Sequence, residues 1–444
     1  MPDSLLPVSP AARARAQDLL DFIDRSPSPW HAAASAAALL EAAGYTRLHE
    51  TDRWRLAPGA RHYVIRDDSS LAAFRIGQAP LTESGLRLVG AHTDSPGLRV
   101  KPLAGEHRGG WLRLGVEVYG APILATFSDR DLSLAGRVAI RAPAAPFGVT
   151  SRLVRIDQPL LRIPNLPIHL NRKVNEDGLR LDRQTALPPV LSAAEADLPP
   201  AGTLRRLLAD ALQVPADALL GFDLNVYDTQ PGAFFGPQRE FIADSQLDNL
   251  ASCHAAVLAL LDSDDSVPRA SALCFLFDHE EVGSTSAKGA DGSFLDDVIG
   301  RLASGCGLDG QDQRRMLARS MLVSADMAHA FNPGHPHVYD DDHRVHLNRG
   351  PVIKTNASQR YTSDSLSASA FQLACERAGV PWQHYVQRSD LACGSTIGPM
   401  AAARLGLRSV DVGNPMWAMH SARESAGAAD HDAMRRALKA FFEH

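Results

Sequence analysis

Cysteine is scarce and poorly placed for cross-linking. The 444 residues hold five, Cys253, Cys274, Cys306, Cys375 and Cys393, an odd number with no CxxC pair. That excludes a disulfide framework and a zinc–thiolate cluster, and predicts reduced, mostly buried thiols. Long apolar runs are missing as well: nothing approaches the roughly 18 uninterrupted residues of a membrane span. The opening MPDSLLPVSPAARARAQDLL lacks the basic-then-apolar order of a secretory signal, so the expected location is the cytoplasm. No basic run of five or more occurs and the net charge is −6; nucleic acid is not an expected partner. Internal repeats and low-complexity tracts are also absent. What remains is ordinary for a soluble globular protein, with 45% apolar and 22% charged residues, in a chain longer than one hydrophobic core supports. Two domains are expected.

Helix signals open the chain. Ser9-Pro10 and Ser28-Pro29 are cap and first-turn pairs, and the second, alanine-rich helix should stop near Gly44. HYVIR, LAAFRIG and LRLVGA then read as strands. From about residue 99 to 243 the apolar residues fall in short alternating runs such as WLRLGVEVYG and LAGRVAI, broken by Pro and Gly, the pattern of a β-rich module with one helix at TLRRLLADALQ. After Asp248, DNLASCHAAVLALL places apolar residues at 250, 253, 257, 258 and 261, one face of a helix. The continuous apolar strands ALCFLF, SMLVSA and LRSVDVG follow, separated by helices. Such strands imply a central sheet covered by helices on both faces. The expected fold is α/β, in two sequence pieces (1–98 and 244–444), with an inserted β-rich domain at 99–243.

Several of these strands end in residues that bind metal, at the sheet edge where an α/β crevice usually lies. LRLVGA runs into His92 and Asp94, ALCFLF into Asp278-His279-Glu280-Glu281, and SMLVSA into Asp326. LRSVDVG leads through a short loop to His420, and Asp248 opens the helix after the insert. Singly, each has a plainer explanation: a turn for HTDSPG, a helix cap for Asp248. Together they describe one site. Two histidines and three carboxylates suit zinc, cobalt or manganese. If one carboxylate bridges, five side chains give two ions three protein ligands each. Adjacent residues of an extended segment point to opposite sides, so one of Glu280 and Glu281 can face the metal while the other serves as general base. The residues alone leave open which does which.

The motifs VGAHTDSPGLRVKP, GVEVYG with DRDLSLAGRV, LDNLASC, FDHEEVGSTSAKGA, SADMAHAFNP, GPVIKTNASQRY, CGSTIGP and AMHSARE occur in this order. In that order, the sequence resembles the aspartyl aminopeptidase family of metallopeptidases from end to end. The resemblance implies an aminopeptidase with two zinc ions per subunit, cobalt or manganese as substitutes, acting on short peptides and preferring amino-terminal Asp or Glu. It further implies that Asp248 bridges the ions, that His92 and Asp326 complete one and Glu281 and His420 the other, and that Glu280 is the general base. Asp94 is implied to hold the His92 ring, and the Asp248–Asn249 peptide to be cis. His169, in the insert, is implied to reach a neighbouring subunit's site, there to contact substrate or a metal. Lys354 is the candidate partner for an acidic substrate side chain, with Tyr361 nearby. The family's assemblies imply that the insert dimerises and forms a lid, with dimers building a dodecamer. Between VYG and DRDL, however, stands APILATFS, where relatives tend to carry glycine and tryptophan, which alters one pocket wall. The histidine-rich stretch 329–346 is expected to shape the pocket rim and subunit contacts rather than to bind extra metal.

Two rival readings carry different expectations. A deacylase or carboxypeptidase with a similar two-metal centre would accept peptides blocked at the amino terminus. A silent assembly protein would have no use for Glu280.

Overall fold

The computed structural model describes residues 8–193, 200–263 and 269–444. The chain forms two compact units, Met1–Asp94 with Gly232–Met419 and Glu424–His444, and Ser95–Pro231 with His420–Arg423. Among the described residues no helix is long and apolar enough to cross a membrane.

The first unit is mixed α/β. Its nine-stranded sheet runs in the spatial order Thr46–Arg47, Arg61–Arg66, Ser70–Arg75, Ser271–Phe277, Leu86–His92, Met321–Ala325, Arg408–Gly413, Val352–Thr355 and Gln383–Val386. Strands Leu86–His92, Ser271–Phe277, Met321–Ala325 and Arg408–Gly413 pair in parallel. The functional strand ends therefore share one edge of the sheet. All seven residues of Ser271–Phe277 are buried, and they divide by parity. Ala272, Cys274 and Leu276 join the core packed by helices Pro10–Asp24, Pro29–Ala42, Leu247–Asp262 and Asp430–Phe442. Leu273, Phe275 and Phe277 join the opposite core, packed by Phe294–Gly305, Gly310–Ala318 and Ile397–Leu405. A strand buried on both faces has no solvent side on which to alternate, hence its unbroken apolar run.

The caps act as the sequence predicts at Ser9, which accepts from the Ala12 N–H, and Pro10 begins the first helix. The one-face reading of the helix after Asp248 is corrected. Leu247–Val257, Ala259 and Leu260 are all buried, whereas Leu258 and Leu261 are only partly so. This helix lies within a core rather than on its surface.

That burial extends to two histidines. His254, on Leu247–Asp262, stacks on His431 of Asp430–Phe442 with centroids 5.1 Å apart and planes 10° from parallel, and their Nδ1 and Nε2 are 2.9 Å apart. Burial pulls the His254 ring well below the usual imidazole range and pushes His431 down to about 3. Both are neutral in the fold, while the unfolded chain takes up protons near 6.5. The stability they contribute is present above about pH 6.5 and is lost as pH falls toward about 3, by up to about 1.4 kcal/mol per ring per pH unit. We expect the unfolding midpoint of the wild type to drop more steeply between pH 6.5 and 4 than that of a His254→Phe/His431→Leu variant. Equal slopes in a thermal melt series would refute this.

The second unit carries a six-stranded sheet in the order Val149–Arg155, Leu132–Arg141, Leu219–Asp228, Gly97–Arg108, Trp111–Tyr119, Val190–Ala193, with every neighbouring pair antiparallel. Helix Pro200–Leu212 packs Leu204, Leu208, Ala209 and Leu212 into its core. The insert expected to run to 243 ends sooner. Strand Phe241–Asp244 pairs with Ala233–Phe235 and with Glu424–Gly427, inside a five-stranded sheet of the first unit. Short alternating strands look alike in either setting, and only their partners distinguish them.

Candidate metal centre

His92 ends its strand with the ring fully buried. Its Nδ1–H donates to the Asp94 backbone carbonyl at 2.9 Å, while the Asp94 carboxylate stands farther off at 3.5 Å. A carbonyl can only accept, so Nδ1 carries a proton and Nε2 is the ring atom that faces inward. Within 3.4 Å of that Nε2 lie both Asp248 Oδ1 and Asp326 Oδ1. Ligand atoms about 2.0–2.1 Å from a tetrahedral zinc lie about 3.3–3.4 Å from one another. The His92–Asp248 and His92–Asp326 separations therefore match those of ligand pairs about a zinc ion, and the donor types suit zinc. Glu281 joins His92 and Asp248 in a group whose ligand atoms all lie within 4.8 Å of one another.

The carboxylates around the ring favour positive charge there. Burial opposes protonation of His92, but the carboxylates of Asp248, Asp326 and Asp94 more than offset it and hold the ring well above the usual imidazole range. Burial pushes the Glu280 carboxyl up to about 8, with His92 pulling it back and Asp326, Asp94 and Asp248 raising it further. Glu281 is likewise raised, first by burial and then by Asp248. Bringing this many carboxylates together is costly unless a cation joins them.

Several expectations are corrected. Glu280 and Glu281 do not lie on an extended segment; Glu280–Val282 is a 3-10 turn entered through His279 in the left-handed region at φ 66°. The Asp94 carboxylate spans that turn, accepting the Glu280 N–H at Oδ1 and the Glu281 N–H at Oδ2, each at 3.1 Å. It is the Asp94 carbonyl that orients His92. Asp278 and His279, two of the four polar residues after Phe277, belong to the frame of the turn: Asp278 Oδ1 accepts the His279 N–H at 2.8 Å.

Lys354 is 2% exposed. Its ammonium donates to the carbonyls of Asp326 (2.9 Å) and Met327 (3.1 Å) and stands 3.6 Å from Asp326 Oδ2. A substrate carboxylate would have to share it. Tyr361 is buried too, 5.0 Å beneath the ammonium, and burial together with Cys393 raises its phenol far above the usual range. The Asp326 end of its strand is closely backed: a Cβ added at Gly413 would stand 1.9 Å from the Asp326 carbonyl oxygen.

His92, Asp94, Asp248, Glu280, Glu281 and Asp326 are thus brought together in the first unit, and the Asp248–Asn249 peptide is cis. His420 and His169 lie in the second unit. There His420 has φ 69° and its Nδ1 faces the Ala121 carbonyl at 3.1 Å, while His169 is exposed in a turn. In the stretch 329–346, His343 pairs with Asp340 at 2.7 Å, and no group of three metal-binding side chains is found there among the described residues. The sequence reading missed Glu424, whose Oε2 accepts the Asp248 N–H at 2.9 Å, and Asn249, whose amide donates to the Ala325 carbonyl at 2.9 Å. Both stand inside motifs already singled out; a buried charge in AMHSARE was the available signal.

Parallel strand ends converging on an imidazole and a set of carboxylates form a candidate metal centre, of the kind a metal-dependent hydrolase uses. The sequence matches the family Peptidase M18, described as "Aminopeptidase I zinc metalloprotease (M18)", over residues 22–442, and the chain belongs to this family of zinc aminopeptidases. It is 49% identical over 430 residues to the "Probable M18 family aminopeptidase 2" of Azotobacter vinelandii, covering 96% of this chain and 97% of that protein. Among solved structures it is similar to that described as "Cryo-EM structure of the Ape4 and Nbr1 complex", with TM-score 0.93 and 36% identity over 99% of this chain and 88% of the other. It also resembles the "Structure of S. cerevesiae mApe1 dodecamer", with TM-score 0.85 and 27% identity over 98% and 97%.

Proposed function

We propose that this zinc aminopeptidase works with two ions per subunit and removes Asp or Glu from the amino terminus of short peptides. In this reading Asp248 bridges the ions, His92 and Asp326 complete one, and Glu281 and His420 complete the other. The observation that carries it is the pair of 3.4 Å separations from His92 Nε2 to Asp248 and Asp326, which match ligand spacing about a zinc ion. A zinc ion held there would supply polarisation of a carbonyl oxygen and a lowered pKa of water, toward about 7.

The protein supplies the rest. Glu280, held by its N–H on Asp94, takes a proton from the attacking water and returns it to the leaving amine. Asp94, through its carbonyl, keeps His92 in the tautomer that offers Nε2. Lys354 draws acidic substrate side chains by sharing its charge between them and Asp326. His169 contacts substrate or the developing oxyanion in a neighbouring subunit. The β-rich unit dimerises, and dimers assemble into a closed dodecamer, a reading supported by the similar S. cerevesiae structure being described as a dodecamer; the working compartment is the cytoplasm.

The test is to strip the metal, restore zinc, cobalt or manganese separately, and rank aspartyl, glutamyl, leucyl and acetyl-blocked substrates. Zinc-restored cleavage of free aspartyl and glutamyl termini is expected, with about two zinc ions per subunit. Turnover of blocked substrates would favour the deacylase reading. In the same panel, Lys354→Met should lower the aspartyl-to-leucyl ratio by about tenfold or more, and an unchanged ratio refutes its role. Unchanged turnover of His169→Ala would do the same for His169.

A further inference from the structure

Below the glutamate turn lies a buried ion pair that takes no part in the chemistry just described. Asp278, fully buried, begins the turn and Lys288, 6% exposed, closes it. Lys288 Nζ stands 3.0 Å from Asp278 Oδ2, 3.1 Å from Asp67 Oδ2 and 2.8 Å from Ser69 Oγ, to which it donates. Ser69 Oγ in turn donates to Asp278 Oδ2 at 2.7 Å. The neighbouring Ser70 links the backbone at both ends of the turn: its Oγ accepts the Asp278 N–H at 2.9 Å and donates to the Lys288 carbonyl at 2.8 Å.

Ser69 also reaches the histidine side of the site. Its carbonyl accepts from Thr93 Oγ1 at 2.9 Å, and the Thr93 N–H donates to the Phe277 carbonyl at 2.7 Å. One hairpin corner therefore ties down both the turn that carries Glu280 and Glu281 and the segment His92–Asp94. A charge pair with this burial and connectivity fixes geometry; an apolar pair of the same volume would fill the space equally well without directing the backbone.

We propose that Asp278 and Lys288 are positioning residues for the peptidase reaction, their buried ion pair on Ser69 setting the Glu280 turn against the His92–Asp94 segment. The inference rests on Glu280 being the general base. A displacement of the base by about 1 Å costs on the order of 100-fold in rate.

The experiment uses the full-length, zinc-loaded enzyme. Lys288→Met is expected to lower kcat by about 10- to 100-fold, with KM within about threefold and zinc content unchanged. Asp278→Asn should behave alike, and the double variant should be no slower than the worse single one, since the two act as a unit. Lys288→Gln, which keeps a donor for Ser69, serves if the methionine variant does not fold. The proposal is overturned if kcat stays within about twofold of wild type, if the single losses multiply in the double variant, or if zinc content falls in proportion to activity. Glu280→Gln run alongside separates the failures. If it is fully active, the general-base reading falls; if it is inactive while Lys288→Met is unimpaired, the positioning role alone falls.

Discussion

Glu280→Gln is expected to lower kcat by about 10²- to 10⁴-fold while zinc content and KM stay within a few-fold of wild type. Glutamine keeps the shape of the side chain and leaves the backbone N–H on Asp94, so the turn survives. It removes only the capacity to take a proton. Glu280 is largely buried beside Asp326, Asp94 and Asp248, where its carboxylate has no comparable substitute: Asp94 is occupied by two backbone N–H groups, and Asp326 and Asp248 face His92. Turnover within about tenfold of wild type would rule out Glu280 as the base.

The second large effect falls on the centre itself. Asp248→Ala is expected to abolish turnover, by at least about a thousandfold, and to remove zinc-dependent stabilisation of the fold. Adding zinc to the stripped wild type at about 100 times its dissociation constant should stabilise it by about 2.7 kcal/mol, and the variant should show little of this. In the absence of metal the order should narrow or invert. Asp248 crowds Asp326 and Asp94 around one imidazole and pushes both glutamates up, so deleting it eases the packing of carboxylates. Calorimetry with and without chelator, together with bound-metal analysis, measures both halves. A variant that binds zinc and cleaves peptides as the wild type does would end the case for Asp248 as the shared ligand.

Much of this was legible in the chain, for physical reasons that can be stated. His92, Asp94, Glu281 and Asp326 follow continuous apolar strands, and alternation of such strands with helices favours parallel pairing, which puts the strand ends on one edge. Residues that end them are therefore neighbours in space whatever their separation in sequence. What the sequence concealed was the division of labour between backbone and side chain. Nothing in HTD says that the Asp94 carbonyl takes the imidazole N–H while its carboxylate bridges two amides. That the Lys354 ammonium is already held by the carbonyls of Asp326 and Met327 was hidden as well, because burial of a lysine depends on acceptors supplied from elsewhere. The helix from Leu247 was misread as one-sided because its alanines and Ser252 are small enough to be packed on every side, and small residues carry little hydrophobic contrast. The strand at 241–244 was placed in the wrong unit because alternation reveals that a strand has two faces but not which sheet it enters.

Four residues near the carboxyl end, His420–Arg423, pack with the β-rich unit. The His420 carbonyl accepts the Ile123 N–H at 2.8 Å, and the Ala422 N–H donates to Thr126 Oγ1 at 2.8 Å. The polypeptide thus passes from one body to the other four times, so no single excised gene fragment encodes the whole β-rich body without part of the other. A piece spanning 95–231 would leave the Ile123 amide without its acceptor and uncover the core around Ala422. Such threading works against recombination of the two bodies as interchangeable modules and favours their inheritance as one piece.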